Sequence, residues 1–333
     1  MEKISVVGIS NAKPNIRGGG HPVETSRYIL MTPSVEELHL SVCKWIDIRL
    51  TGAIVYGEPR TGKTSAIKYL KYRLPEDFPQ IPIIEMQCKE RKIPNENAFY
   101  DEFLYISGHA LFGKGKIVEK QIRLAQFLQE IVKRSGHNRI VVFIDDAQRL
   151  HEIQFKWLMD IHNSLDSKGI DMVTILVGQP EIIHQKTAFR TTKKTQIIGR
   201  FMLNEFSFKG IRNKKEIAKC LNGYDEESEY PQGSGWSFTR YFFPSAFENG
   251  WRLRNLADDL WRAIEDIQNE YGLSKKHEIP MQYFCRAVEQ ILRYKGSSTE
   301  IEPHIPVVEL REFFKNTGYS NAAREEQLAV SNK

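Results

Sequence analysis

Residues 57–64 read Gly57-Glu58-Pro59-Arg60-Thr61-Gly62-Lys63-Thr64, a complete G-x-x-x-x-G-K-[ST] string. No other stretch constrains the fold as much. The string functions only where a buried strand turns into the first turn of a helix, because there the backbone N–H groups and the helix N-terminus face one point. Its flanks meet that condition. Residues 53–56 are apolar and strand-like, and residues 63–74 are patterned as a helix, with Pro75 as the expected stop. The glycines let the backbone wrap around an anion without Cβ clashes. Gly57, Glu58, Pro59, Arg60, Thr61, Gly62, Lys63, Thr64 and Ser65 are therefore expected to hold the phosphates of ATP. Lys63 should reach the β- and γ-phosphates, and Thr64 should ligate Mg²⁺.

A second element fits the first. Ile140-Val141-Val142-Phe143-Ile144-Asp145-Asp146 is a fully apolar run ending in acids. In a parallel sheet such a strand is buried and its carboxylate stands at the C-terminal edge, where ligands bind. Asp145 is expected to hold Mg²⁺, and Asp146 to polarise the attacking water. A further strand ends at Val177-Gly178-Gln179, which puts Gln179 near the γ-phosphate as a polar sensor; its alternative role is a turn residue before Pro180. A substrate kinase also uses a phosphate loop, but the second acid and the sensor position fit a water-activating ATPase better.

Continuous apolar strands alternate with helical segments from about residue 35 to 208, with strands expected at 81–86, 140–144, 172–177 and 202–208. That alternation predicts a three-layer α/β domain built on a parallel sheet. Residues 209–294 lose the strands and read as a small helical domain, with a long loop expected at 222–237. Residues 1–34 contain Pro14, Pro22, Pro33 and Gly18-Gly19-Gly20 and read as an irregular arm; residues 295–333 read as a tail with a short helix at 307–314.

Composition excludes several classes. The four cysteines, Cys43, Cys88, Cys220 and Cys285, stand far apart with no C-x-x-C pair, which argues against zinc and against a disulfide framework. The start lacks a signal-peptide core, and no stretch approaches the roughly 18 apolar residues of a membrane span, so a soluble cytoplasmic protein is expected. A formal net charge of +5 permits nucleic-acid binding without arguing for it alone.

Four segments together resemble a known family: Gly57–Thr64, Asp145-Asp146-Ala147-Gln148, Leu176-Val177-Gly178-Gln179-Pro180-Glu181 and Gly199-Arg200-Phe201. They look like AAA+ ATPases of the ExeA/TniB type, and within that group the chain is most similar to the target-selection ATPases of multi-component DNA transposons, the TnsC group. The resemblance spans about residues 35–270. It implies a RecA-like sheet of strand order 5-1-4-3-2 with a helical lid. It also implies ATP-dependent rings or filaments on duplex DNA, with nucleotide between subunits, that carry a transposase to a target. Arg200 sits where the family places its arginine finger, with Arg190 as competitor. Arg252, in Gly250-Trp251-Arg252-Leu253-Arg254-Asn255-Leu256, matches the second sensor; the spacing from Gly250 is one residue short, so Arg254 competes.

DNA contacts are expected after the second strand, from Lys89, Arg91 and Lys92 and from Lys114 and Lys116, in turns where cations reach phosphate without reading sequence. Between Lys186 and Lys219 cations also far outnumber the acids Glu205 and Glu216, which suits a subunit interface or DNA. The aromatic run Tyr241-Phe242-Phe243, with Trp236 and Trp251, reads as lid core; the arm and tail are candidate handles for a transposase or target selector. Two rivals share the nucleotide motifs: a replication initiator or helicase loader, for which no base-reading module is visible after residue 270, and a non-DNA ExeA-like ATPase, for which no membrane span is visible. The family usually carries Glu where this chain has Asp146. The shorter acid should hold water less well, so slow basal hydrolysis is expected. Steady-state turnover of the protein alone checks this, and fast turnover without a partner would contradict it.

Overall fold

A computed structural model describes residues 12–273 and 278–331, with only the backbone for 326–331. The chain forms two compact units, Ser34–Phe208 and Met1–Pro33 with Lys209–Lys333. A short helix α1 (Pro22–Thr25) precedes α2 (Pro33–Asp47), which leads into the first unit.

That unit alternates as the apolar runs require. β1 (Gly52–Tyr56) is followed by α3 (Lys63–Asp77) and β2 (Ile83–Gln87). Helices α4 (Glu96–Ile106) and α5 (Ile117–Ser135) lead to β3 (Arg139–Asp145), then α6 (Glu152–Asp166) and β4 (Asp171–Gly178). Helices α7 (Glu181–Thr191) and α8 (Thr195–Phe201) precede β5 (Asn204–Ser207). The five strands form one parallel sheet in the order β2-β3-β4-β1-β5. This is the expected order. The register aligns Gln87 with Asp145, and Tyr56 with Gly178 and Ser207, so the ends of all five strands stand along one edge.

Burial explains the apolar centres of β3 and β4: every residue from Ile140 to Ile144 is fully buried, sandwiched between helices. On one side Phe155 of α6 packs edge-on to Phe189 of α7, at 5.5 Å between ring centroids, and at 5.8 Å from Phe201 of α8. Buried His162 belongs to the same layer; its Nε2 pairs with Thr174 Oγ1 at 2.9 Å. Burial, then the charge of Arg200, pushes that imidazole down to about 3, so it is neutral at pH 7.

Three boundaries differ from the sequence reading. α3 does not stop before Pro75 but continues to Asp77, because a proline in the last turn removes only the bond to the Lys71 carbonyl on an exposed turn. The sequence pattern extends a helix from Ala98 to Phe112, whereas α4 ends at Ile106 and a turn containing Gly108 at φ +88° follows. The segment 222–237 is not wholly loop, since Gly223–Glu227 forms a π-helical turn after α9 (Lys214–Asn222).

The second unit continues with α10 (Phe238–Phe242), α11 (Pro244–Glu248), α12 (Ala257–Glu270), α13 (Met281–Lys295), α14 (Val307–Asn316) and α15 (Tyr319–Ser331). Its core takes in segments read from sequence as arm and tail. Leu310, Phe314 and Tyr319 are fully buried in it, because the apolar stripe of α14 packs on α12 and α13. Trp236 and Phe243 are buried here, as expected of lid core. Tyr241 instead stacks at 4.6 Å on His21, a ring 1% exposed and enclosed also by Tyr230, Phe238 and Phe242. Farther along the arm, Ser26 Oγ donates to Glu289 of α13 at 2.8 Å, and the Tyr28 hydroxyl lies 2.6 Å from that of Tyr224. These bonds pin residues 21–28 to the helical unit.

Truncating Phe155 to Ala should destabilise the first unit by about 3–5 kcal/mol, the usual range for a buried aromatic. Chemical denaturation followed by circular dichroism measures it; a loss under about 1 kcal/mol would mean that the α6–α7–α8 layer is not a packed core.

Candidate nucleotide site

The phosphate loop is built by close backbone approach. Gly57 N–H donates to the Gly178 carbonyl at 3.3 Å, which ties the start of the loop to the end of β4. A Cβ at Gly57 would stand 2.2 Å from the Phe208 carbonyl oxygen, so no larger residue fits. Gly62, at φ +107°, takes a conformation that side chains rarely adopt and caps α3. Between them, buried Thr61 donates from Oγ1 to the Glu58 carbonyl at 2.8 Å and closes the loop on itself. Half-buried Pro59 and exposed Arg60, the latter at φ +64°, form the tip, and Ser65 lies exposed on the first turn of α3.

Lys63 folds back over this loop. Its Nζ donates to the carbonyls of Gly57 and Glu58, each at 2.7 Å. Those carbonyl oxygens occupy its donors as phosphate oxygens would. Burial lowers the pKa of the amine, opposed by the charges of Asp145, Glu58, Asp146 and Glu181.

Thr64 Oγ1 donates to Asp145 Oδ2 at 2.8 Å, and the Asp146 N–H donates to Asp145 Oδ1 at 2.9 Å. Both oxygens of this carboxylate, 5% exposed, are thus engaged. Burial raises its pKa, and the Thr64 hydroxyl and the Asp146 N–H oppose the shift. Thr64 and Asp145 are the pair a Mg²⁺ ion needs, a hydroxyl and a carboxylate at hydrogen-bond separation.

Asp146 takes φ +54°, the left-handed region, where Asp is tolerated better than longer side chains. Its carboxylate is shared: Gln148 Nε2 donates to Oδ1 at 3.3 Å, and Arg149 Nη1 lies 3.4 Å from Oδ2. The same Gln148 accepts from the Gln179 N–H at 3.2 Å through Oε1. A Cβ at Gly178 would stand 2.6 Å from that oxygen, so the glycine makes room for it. Gln148 therefore bridges Asp146 to the end of β4. Sequence reasoning gave no role to Gln148 or Arg149; the signal available was their position two and three residues after Asp146, within reach of its carboxylate.

Arg200 lies away from this edge. The Arg200 carbonyl accepts from Thr51 Oγ1 at 2.8 Å and stands 2.7 Å from a Cβ built on Gly52, the first residue of β1. The phosphate loop leaves the other end of β1, about 13 Å away at a strand rise of roughly 3.3 Å per residue. The guanidinium of Arg200 donates to Asn163 Oδ1 at 2.5 Å. Arg190 is exposed in the last turn of α7.

Arg252 and Arg254 belong to the helical unit. Arg252 donates from Nε to Glu226 at 2.8 Å and from Nη1 to the Phe247 and Trp251 carbonyls at 2.9 Å, with its guanidinium 3.6 Å from the Phe247 ring centre. Arg254 donates to Asn222 Oδ1 at 2.8 Å. Buried Asp225 holds the backbone that follows Arg252, accepting from the N–H groups of Leu253 and Arg254 at 2.8 and 3.0 Å.

The basic turns differ from each other. Lys89 and Arg91 share the carboxylate of Glu102 at 3.4 and 3.5 Å. Lys92, Lys114 and Lys116 are exposed and make no ion pair among the described residues. The 186–219 stretch is partly neutralised, by Lys186 on Glu205 at 2.5 Å and Lys194 on Glu152 at 3.0 Å.

A phosphate loop after β1, an acid-tipped β3 and the order β2-β3-β4-β1-β5 define an AAA+ ATPase fold. Residues 51–185 match the family model of an AAA domain. No curated protein matches the chain in sequence. Among solved structures it is similar to the Aeropyrum pernix ORC2 protein in ADPNP–ADP complexes, at 12% identity and a TM-score of 0.57, covering 89% of this chain and 71% of that one. Weaker likenesses are to the Aeropyrum pernix ORC1 protein in complex with DNA, at 12% identity, TM-score 0.41 and 88% and 85% coverage, and to Cdc6p of Pyrobaculum aerophilum, at 15%, 0.42 and 90% and 83%. At these identities the likeness is one of fold. No described helix is long and apolar enough to cross a membrane.

The AAA fold implies nucleotide and Mg²⁺, and the residues present fit both: a glycine loop that a Cβ would block, a lysine already on two oxygens, and a paired hydroxyl and carboxylate. Mg²⁺, when bound, would neutralise charge on the phosphates. Replacing Asp145 with Asn removes a buried charge yet keeps an acceptor for Thr64. The nucleotide-free variant should melt at a higher temperature than the parent while losing Mg²⁺-dependent ATP retention. Differential scanning fluorimetry and filter binding check the pair; a lower melting temperature with retention intact would contradict it.

Proposed function

We propose that the protein is an ATP-dependent regulator of DNA transposition, an ATPase that oligomerises on duplex DNA and links target-selection proteins to a transposase. The observation that carries the assembly is the position of Arg200. It lies level with the strand edge opposite its own phosphate loop, so as an arginine finger it serves the nucleotide of a neighbouring copy. Within one copy Lys63 and Thr64 bind the phosphates and metal with Asp145. Asp146, oriented by Gln148 and Arg149, holds the attacking water, and Gln179 marks the end of β4 as the sensor. Arg252, or Arg254 beside it, supplies the lid charge.

Exposed Lys92, Lys114 and Lys116, with Lys89 and Arg91 more weakly because Glu102 offsets them, form the surface for DNA phosphate. Such contacts tolerate any sequence, as a protein that spreads along DNA requires. The residues carrying the transposition reading are the four motif segments around Gly57, Asp145, Gly178 and Arg200. A second reading, a replication initiator or helicase loader, shares the same nucleotide site, and the fold of the Aeropyrum pernix ORC2 protein suits it equally.

The test is binding to a random-sequence duplex without nucleotide, with ADP and with a non-hydrolysable ATP analogue, imaged by electron microscopy. Rings or filaments on DNA that need the ATP state and vanish in Lys63→Ala are expected. Added transposase that joins these assemblies separates the two readings. If ATP is bound but nothing assembles on DNA, the DNA role falls and a non-DNA ATPase takes its place.

A further inference from the structure

His39 and Cys43 stand four residues apart on α2 and so share one helix face. Asp77, the last residue of α3, faces them from the second helix. His39 Nε2 lies 2.7 Å from Asp77 Oδ2, and Cys43 Sγ lies 3.7 Å from the same oxygen. The three donor atoms all fall within 4.8 Å of one another. Tyr69 of α3 meets the His39 ring edge-on at 6.2 Å and helps to set its plane.

We propose that His39, Cys43 and Asp77 form a binding site for a zinc-like divalent cation. A nitrogen, a sulfur and a carboxylate oxygen are the donor set of a borderline-soft metal rather than of Mg²⁺ or Ca²⁺. Around a tetrahedral zinc, donor atoms stand about 3.3–3.8 Å apart, so the Cys43–Asp77 separation already fits and the His39–Asp77 pair must open by roughly half an ångström to a full one. The side chain of Asp77 is 43% exposed, which leaves an open face for a water as fourth ligand. Asp47, one turn beyond Cys43, is exposed and adds a further negative charge nearby. On binding, the sulfur–metal bond forms as the Cys43 thiol gives its proton to solvent. The bound ion would staple α2 to the end of α3, the helix whose first turn closes the phosphate loop. No paired-cysteine spacing marks this set in the sequence, because its ligands are of three kinds and come together only when α3 reaches Asp77.

The test uses the full chain without a purification tag, stripped with a chelator and titrated with Co²⁺. One equivalent should produce a sulfur-to-cobalt charge-transfer band in the near ultraviolet and tetrahedral bands in the visible, bleached by added Zn²⁺. Cys43→Ser should abolish the charge-transfer band, and His39→Gln should weaken binding at least tenfold. Lys63→Ala should bind cobalt like the parent. The oxygen donors of Thr64 and Asp145 cannot give a sulfur band, so the two sites are told apart. Circular dichroism of the apo variants shows whether they fold; Asp77→Asn, on the surface, serves if Cys43→Ser does not. A charge-transfer band that survives in Cys43→Ser, or no band at saturating cobalt, would overturn the assignment and leave the trio as a hydrogen-bonded helix contact.

Discussion

The hydrogen bond from Thr64 to Asp145 joins the two parts of the site that sequence separates by 81 positions. It requires that β3 be buried along its length, that its last residue reach the sheet edge, and that the glycine loop bring the first turn of α3 over that edge. A buried carboxylate is costly unless its oxygens are paired. Here the Thr64 hydroxyl takes one and the Asp146 backbone the other. Gly57 and Gly178 are fixed by the same geometry, one against the Phe208 carbonyl and one against the Gln148 side chain. The binding surface is therefore formed by constraints that the core already imposes.

Much of this was readable in advance because it depends on local pattern. The phosphate loop and the apolar runs of β3 and β4 follow from motif and periodicity, while the strand order comes from the family resemblance that those motifs carry. The helix boundaries failed where a local rule met context: Pro75 reads as a stop, yet in a last exposed turn it removes one bond and α3 continues. The arm and tail were underread for another reason. His21 shows no pattern of its own, and the helix around Leu310 is legible while its packing is not; their burial depends on partners far along the chain, such as Tyr241 for the one and the α12–α13 surface for the other. The Gln148 bridge was invisible because its two ends, Asp146 and Gln179, meet only when β3 and β4 pair.

The unit is polar in a functional sense. Its phosphate loop opens at the C-terminal edge of the sheet, whereas Arg200 is anchored beside Thr51 and Gly52 at the start of β1. A single copy so arranged carries a site at one edge and a cation level with the other. Head-to-tail contacts between such copies give rings or open filaments according to whether the rotation closes. The left-handed backbone at Asp146 adds a reason for the shorter acid in place of glutamate, since Asp is among the residues that occupy that region most readily. In the proposed switch, slow turnover and a finger supplied by a neighbour would belong together, because its ATP state must last until assembly is complete.

The central claim is that each nucleotide site is completed by another copy, and a mixing experiment tests it most directly. Arg200→Ala keeps the phosphate loop but lacks the finger; Lys63→Ala lacks the loop lysine but keeps the finger. Each alone should hydrolyse ATP at a small fraction of the parental rate on DNA. Mixed in equal amounts, they should regain a substantial part of it, because Lys63→Ala copies lend Arg200 to the intact loops of their neighbours. A mixture no more active than its components, or an Arg200→Ala protein as active as the parent, would contradict the account.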